Sequence, residues 1–131
     1  MHYERLDHTV LTVNDLDATV DFYGRLLGME VITFDSLVEN RKALRFGNSK
    51  INLHEAGNEI QPTAANPGPG TEHLCMIVKD PVEVVADHLR AAGVAIEDGP
   101  VERAGALGPI NSVYVRDPDG NLIELSNPVE F

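Results

Sequence analysis

Apolar and polar positions alternate through His8-Thr9-Val10-Leu11-Thr12-Val13. A period of two predicts a strand with His8, Val10 and Thr12 on one face and Thr9, Leu11 and Val13 on the other. The period then lengthens. Leu16, Val20, Tyr23 and Leu27 lie along one helical stripe, with Thr19 and Leu26 beside it. Asn14 or Asp15 is placed to cap this helix and Gly28 to stop it. Three short strands follow, at about 30–36, 41–47 and 50–55.

The same order recurs 65 positions later, and residues 6–31 fall on 71–96 without a gap. His8 meets His73, Val13 meets Val78, Asp15 meets Asp80, Val20 meets Val85, Gly28 meets Gly93 and Val31 meets Ile96. Shared His, Asp and Gly at one offset mark a duplicated unit. In the second copy His73, Cys75 and Ile77 oppose Leu74, Met76 and Val78. A helix follows, with Asp80 as cap, Pro81 in its first turn and Val82, Val85, Ala86 and Leu89 on one face, closed by Gly93. Its strands are expected at about 94–98, 111–116 and 121–126, with Asp117-Pro118-Asp119-Gly120 turning the chain into the last. The Gly105-Ala106-Leu107-Gly108-Pro109 stretch reads as a loop, a connector or a lid.

The expectation is an α+β fold of two βαβββ modules within a single domain, 1–131. Module one covers 4–56, a Pro- and Gly-rich linker 57–70, and module two 71–128. A four-stranded sheet covered by one helix leaves its other face open, and such faces suit a ligand cavity.

Composition narrows the function classes. Ten Lys and Arg against 21 Asp and Glu give a net charge of −11. Such a surface repels phosphate backbones and anionic lipid, so neither nucleic acid nor membrane is an expected partner. No run approaches a membrane span, and the N-terminal residues lack a signal-peptide apolar block. The single cysteine, Cys75, excludes an intrachain disulfide, and a reducing cytoplasm is the expected compartment.

Chemistry concentrates on the open face. His8 and His73 hold matching places in the two copies. In Leu122-Ile123-Glu124-Leu125-Ser126, the aliphatic residues claim the core and turn Glu124 outward. A carboxylate facing a half-enclosed cavity needs a partner or a cation. His8, His73 and Glu124 form a two-histidine, one-carboxylate set suited to Zn²⁺, Fe²⁺, Mn²⁺ or Ni²⁺, with positions left for substrate. Aligning Ile51-Asn52-Leu53 with Ile123-Glu124-Leu125 sets Asn52 opposite Glu124. Asn52 or His54, two residues on, is then the fourth group; the alternative for His54 is a hydrogen bond to substrate. Arg45, with Ala43, faces either inward or solvent. Tyr114 and Ser112 alternate onto one face and are substrate contacts or packing. Cys75 shares the face of His73 but has no base placed beside it by spacing, and reads as cavity lining. His2 and His88 have no such support.

Leu6-Asp7-His8, Asp21-Phe22-Tyr23 through Leu27-Gly28-Met29, Glu72-His73-Leu74 and Asp117-Pro118-Asp119-Gly120-Asn121-Leu122-Ile123-Glu124-Leu125 together resemble the vicinal oxygen chelate superfamily. This group includes glyoxalase I, fosfomycin- and bleomycin-resistance proteins, extradiol dioxygenases and methylmalonyl-CoA epimerase. Phe46-Gly47-Asn48 with Ile51-Asn52-Leu53-His54-Glu55 is more similar to the small virulence-associated glyoxalase-like branch. The resemblance implies a U-shaped, incomplete barrel, one divalent metal per site, and metal ligands on the first and last strands of each half. These are His8, the strand of Asn52 and His54, His73 and Glu124, with Glu124 also moving a proton. It also implies a homodimer and a small-molecule substrate with adjacent oxygens.

A glutamate of glyoxalase I in the first half is replaced here by Asn52, and no basic cluster for the two glutathione carboxylates is evident. The expected activity is therefore a metal-dependent, glyoxalase-like lyase or isomerase other than glyoxalase I itself. An Fe(II) extradiol-type dioxygenase and a metal-free drug-sequestering protein are the alternatives.

Overall fold

A computed structural model of the chain describes residues 1–34 and 41–129. Residues 35 and 36, the end of one expected strand, lie outside that range. The chain divides into two compact units, Met1–Thr71 and Glu72–Phe131. Each has the βαβββ order and its own four-stranded mixed sheet.

In the first unit β1 (His8–Val13) pairs in parallel with β4 (Ser49–Glu55), which pairs antiparallel with β3 (Arg41–Phe46), and β3 with β2 (Glu30–Phe34). The predicted alternation holds. Leu11, Val13, Ile51, Leu53 and Leu44 are buried on one face, while Val10, Asn52 and Ala43 lie level with one another on the other. Helix α1 (Leu16–Val20) is capped by the Asp15 side chain, which accepts from Ala18 N at 3.0 Å. It runs on into a π-helical segment, Asp21–Leu26. The wider turn changes which residues face inward. Thr19, Phe22, Tyr23 and Leu26 are buried, whereas Leu16, Val20 and Leu27 of the straight-helix stripe are half-buried.

In the second unit β5 (His73–Ile77) pairs in parallel with β8 (Leu122–Pro128), followed across the sheet by β7 (Gly108–Arg116) and β6 (Asp98–Gly105). Helix α2 (Val82–Ala91) buries Val82, Ala86 and Leu89. These sit at i, i+4 and i+7, the spacing of one helical face. With Met76, Val113, Val115, Ile123 and Leu125 they form the core.

Two expectations for this unit are corrected, and a third, open between connector and lid, is settled as a connector. The cap of α2 is Pro81 and not Asp80: the first helical N–H, from Val82, goes to Asn127 Oδ1 at 2.8 Å, and Asp80 offers only its carbonyl, to Asn127 Nδ2. The strand expected at 94–98 begins at Asp98. The chain before it is occupied with ending the helix, where Val94 N bonds Leu89 O and Gly93 takes φ +81°. The Gly105–Pro109 stretch is neither lid nor long loop. It is a tight hairpin with Gly105 level with Gly108. No helix among the described residues is long and apolar enough to cross a membrane.

Candidate functional site

The second unit builds a polar row across three strands. Register places Cys75 and Tyr114 on either side of Glu124, and Ile77 and Ser112 on either side of Ser126. The flanking Ile123 and Leu125 are buried in the core, which forces Glu124 to the opposite face. There its side chain is only 8% exposed. Ser112 donates to its Oε2 at 2.6 Å, and its Oε1 lies 3.0 Å from His73 Nε2. The Tyr114 hydroxyl is a further hydrogen-bond partner. Burial works to raise the Glu124 pKa, but the bonds from Ser112, His73 and Tyr114 outweigh it and hold the carboxyl below its ordinary range. An ionised carboxylate only accepts, so His73 Nε2 is the donor between them.

Ser112 has one hydroxyl proton, given to Glu124, so at its 2.7 Å contact with Ser126 it accepts. Ser126 in turn lies 3.4 Å from Cys75 Sγ. A chain of exchangeable protons thus runs from Cys75 through two serines to the carboxylate. Burial, then the nearby Glu124 charge, push the Cys75 thiol pKa up against the Ser126 bond, so Cys75 is a thiol and no ready nucleophile. Tyr114 is likewise raised, by burial first and then by Glu124, with Arg103 opposing. It keeps its proton to donate.

His73 is set against Glu124 by the turn before β8. Asp117 Oδ1 accepts from Asp119 N and Asn121 N, and its Oδ2 accepts from Asn121 Nδ2 at 2.8 Å. Asn121 Oδ1 then accepts from Glu72 N at 2.9 Å, and Glu72 O accepts from Leu122 N. The start of β5 is thereby pinned to the start of β8, with His73 one residue beyond the pin.

In the first unit Asn52 lies level with Val10, as Glu124 lies level with Cys75. His8 and His73 are two residues below those levels in their own strands, so Asn52 is the counterpart of Glu124. His8 is 43% exposed, and its Nδ1 lies 2.8 Å from Asp7 Oδ1. That bond, with burial opposing and Arg5 and Lys50 assisting, lowers the Asp7 pKa. A carboxylate on Nδ1 orients the ring with Nε2 outward, the usual support of a metal-binding histidine.

His54 lies level with Thr12, four residues beyond His8. At roughly 3.3 Å per residue that is about 13 Å along the strands. The sheet therefore does not bring His8 and His54 together. His54 is buried, its Nδ1 has no hydrogen-bond partner among the described residues, and burial followed by the Arg41 charge lowers its pKa despite Glu59. Asn52 Oδ1 is likewise buried and unpartnered. Arg45 forms a two-pronged ion pair with Glu30 across β2 and β3.

The divalent metal implied by the family can be tested against these donors. His73 Nε2 and Glu124 Oε1 are one nitrogen and one anionic oxygen, close enough to bind one ion, with Ser112 steadying the carboxylate from behind. That pair fits. Among the described residues no group of three or more His, Cys, Asp or Glu is gathered. Arg41 and Ser126 escaped the sequence reading, although each shares parity with a residue singled out there, Ala43 and Glu124.

The family model of the Glyoxalase/Bleomycin resistance protein/Dioxygenase superfamily matches residues 5–125. The chain belongs to this superfamily. It is 52% identical over 122 residues to the glyoxalase domain-containing protein RDO1 of Mycosarcoma maydis, covering 93% of this chain and 67% of that protein. It is 50% identical to virulence protein STM3117 of Salmonella typhimurium, covering 98% of this chain and 88% of that protein. The crystal structure of the latter matches with a TM-score of 0.93, covering 98% of this chain and 100% of that one. A probable lactoylglutathione lyase of Vibrio cholerae is 30% identical, covering 95% of this chain and 91% of that protein. Members of the superfamily commonly bind small molecules and commonly hold a divalent metal.

Proposed function

We propose that this chain is a divalent-metal-dependent enzyme of the superfamily, a glyoxalase-like lyase or isomerase acting on a small substrate with adjacent oxygens. The observation that carries the reading is the His73–Glu124 pair, held by Ser112. The 30% identity to a probable lactoylglutathione lyase supports the reaction class. His73 and Glu124 are the proposed metal-holding residues of the second unit. His8, its ring steadied by Asp7, is a further proposed ligand. A bound Zn²⁺, Ni²⁺, Mn²⁺ or Fe²⁺ would polarise the substrate's oxygens and stabilise negative charge developing on them.

Glu124 is the proposed proton carrier. Its Oε2 is held by a hydroxyl, Ser112, that can itself be resupplied with a proton through Ser126, which leaves Oε1 and His73 Nε2 for the metal. Asn52, at the matching place in the first unit, is an amide and transfers no proton. Proton movement therefore falls on one carboxylate, which separates this chain from glyoxalase I. Tyr114 is proposed to contact substrate beside Glu124 in the second unit; in the first unit Asn52 and His54 are proposed to offer hydrogen bonds to a small-molecule ligand. Arg45, engaged with Glu30, must leave that pair to do the same. A cytoplasmic homodimer completes the proposal.

The test is metal analysis of the full chain after loading with each ion, iron anaerobically, beside the His8→Ala/Glu124→Ala double variant. Stoichiometric metal in the wild type and its loss in the variant is the expected result. Equal metal in both sinks the reading. Oxygen uptake on catechols by the iron-loaded chain would instead select dioxygenase chemistry.

A further inference from the structure

Three exposed arginines share one habit. Arg25 grips Asp21 through Nε and Nη2 at 2.7 and 3.0 Å, Arg45 grips Glu30 at 3.1 and 2.8 Å, and Arg116 grips Glu97 at 3.2 and 3.0 Å. In each the Nε–Nη2 edge of the guanidinium meets both oxygens of a carboxylate, the geometry for which that planar fork is suited.

Arg41 is the buried arginine of the first unit, 6% exposed, and on it the same edge is empty. Its Nη1 donates to Asn58 O at 3.2 Å. Nε and Nη2 are shut off from solvent and have no hydrogen-bond partner among the described residues. A buried cation with two idle donors is costly, and an oxyanion removes the cost. Continuing the Ala43–Asn52 register by two residues sets Arg41 level with His54. His54 Nδ1 and Asn52 Oδ1, on the same face, are buried and unpartnered too. Glu59 lies near enough to act on His54, but its Oε1 accepts from Gly57 N at 3.0 Å.

We propose that the Nε–Nη2 edge of Arg41 is the anchor for a carboxylate group of the chain's small-molecule ligand, bound in the buried polar patch that Arg41 forms with His54 and Asn52 on one face of the first sheet. The proposal rests on the reading of this chain as a small-molecule enzyme and narrows its substrate class to carboxylates. A planar two-oxygen group matches the fork. A net charge of −11 opposes ligands of higher negative charge, which favours a carboxylate over phosphate. His54, kept neutral by burial and by Arg41, offers Nδ1 to the rest of the ligand without competing for the anion.

The test uses metal-stripped full-length chain, so that failure of the metal reading appears in metal analysis and failure of the anchor appears here. The arginine Nε–H resonances are followed by NMR during titration with acetate, with inorganic phosphate and with chloride, at constant ionic strength. The Arg41 Nε–H is expected to shift saturably with acetate while those of Arg25, Arg45 and Arg116 stay in place. Arg41→Lys, which keeps the charge but loses the fork, is expected to weaken acetate binding at least about tenfold, read on the His54 ring. An Arg41 resonance that moves no more than the other three, an unchanged affinity in Arg41→Lys, or phosphate binding more tightly than acetate would each overturn the proposal. The wild-type titration stands alone should the variant fail to fold.

Discussion

Ser112 donates its hydroxyl to Glu124 at 2.6 Å, diagonally across the β7–β8 pair. The bond both orients the carboxylate and keeps it ionised. Ser112→Ala should raise the Glu124 pKa from its present depressed position and weaken metal binding about tenfold or more, as loss of a group supporting a metal ligand does. Carboxyl NMR of Glu124 and metal titration measure the two effects. An unchanged Glu124 pKa would remove Ser112 from this role.

Asn121 ties the Asp117 turn to Glu72 and so sets the position of His73. Asn121→Ala removes the acceptor of the Glu72 N–H and the side-chain donor to Asp117 Oδ2, at a cost of about 1–3 kcal/mol. Urea denaturation should show that loss. Amide exchange should speed up at Glu72 and His73, and a change confined to the turn itself would contradict the pinning.

Gly99 has φ +94°, and a Cβ there would meet the Ser112 carbonyl oxygen, with Val113 Cα at 3.0 Å. Both are backbone atoms of the strand that carries Ser112, so neither can yield cheaply. Gly99→Ala should cost roughly 2–3 kcal/mol or more. Gly47→Ala makes a useful control, because its φ is also positive but nothing lies within 4 Å of its Cβ. Equal losses in the two, by urea denaturation, would show that the close approach is unimportant.

His54 is held below the histidine value of 6.5 in the folded chain by burial and then by Arg41. Below pH 6.5 the unfolded chain therefore binds a proton that the folded chain refuses. The contribution to stability is complete above that pH and is lost as pH falls through the folded value. The urea midpoint should drop over that window, and His54→Gln should flatten this part of the profile. A parallel profile in the variant would assign the pH dependence elsewhere.

The alternation in β8 was enough to turn Glu124 to the face away from the core, because a residue between two core aliphatics, Ile123 and Leu125, has only one other direction. The 65-residue repeat likewise carried the βαβββ order of both units. Where local signals compete, pattern misled. Asp80 looks like a cap, but Asn127, distant in sequence, supplies the acceptor. The helical stripe from Leu16 to Leu27 assumes 3.6 residues per turn, and the π-helical segment changes the count.

The sequence by itself determined the duplicated architecture and the parity of the site residues, since both follow from periodicity along one strand or helix. Tertiary structure alone decided the partners: Ser112 on Glu124, Asn121 on Glu72, and the idle edge of Arg41. Those depend on strand register and on burial. Both are set by the packing of residues far apart in the chain, and neither leaves a mark in the local order of residues.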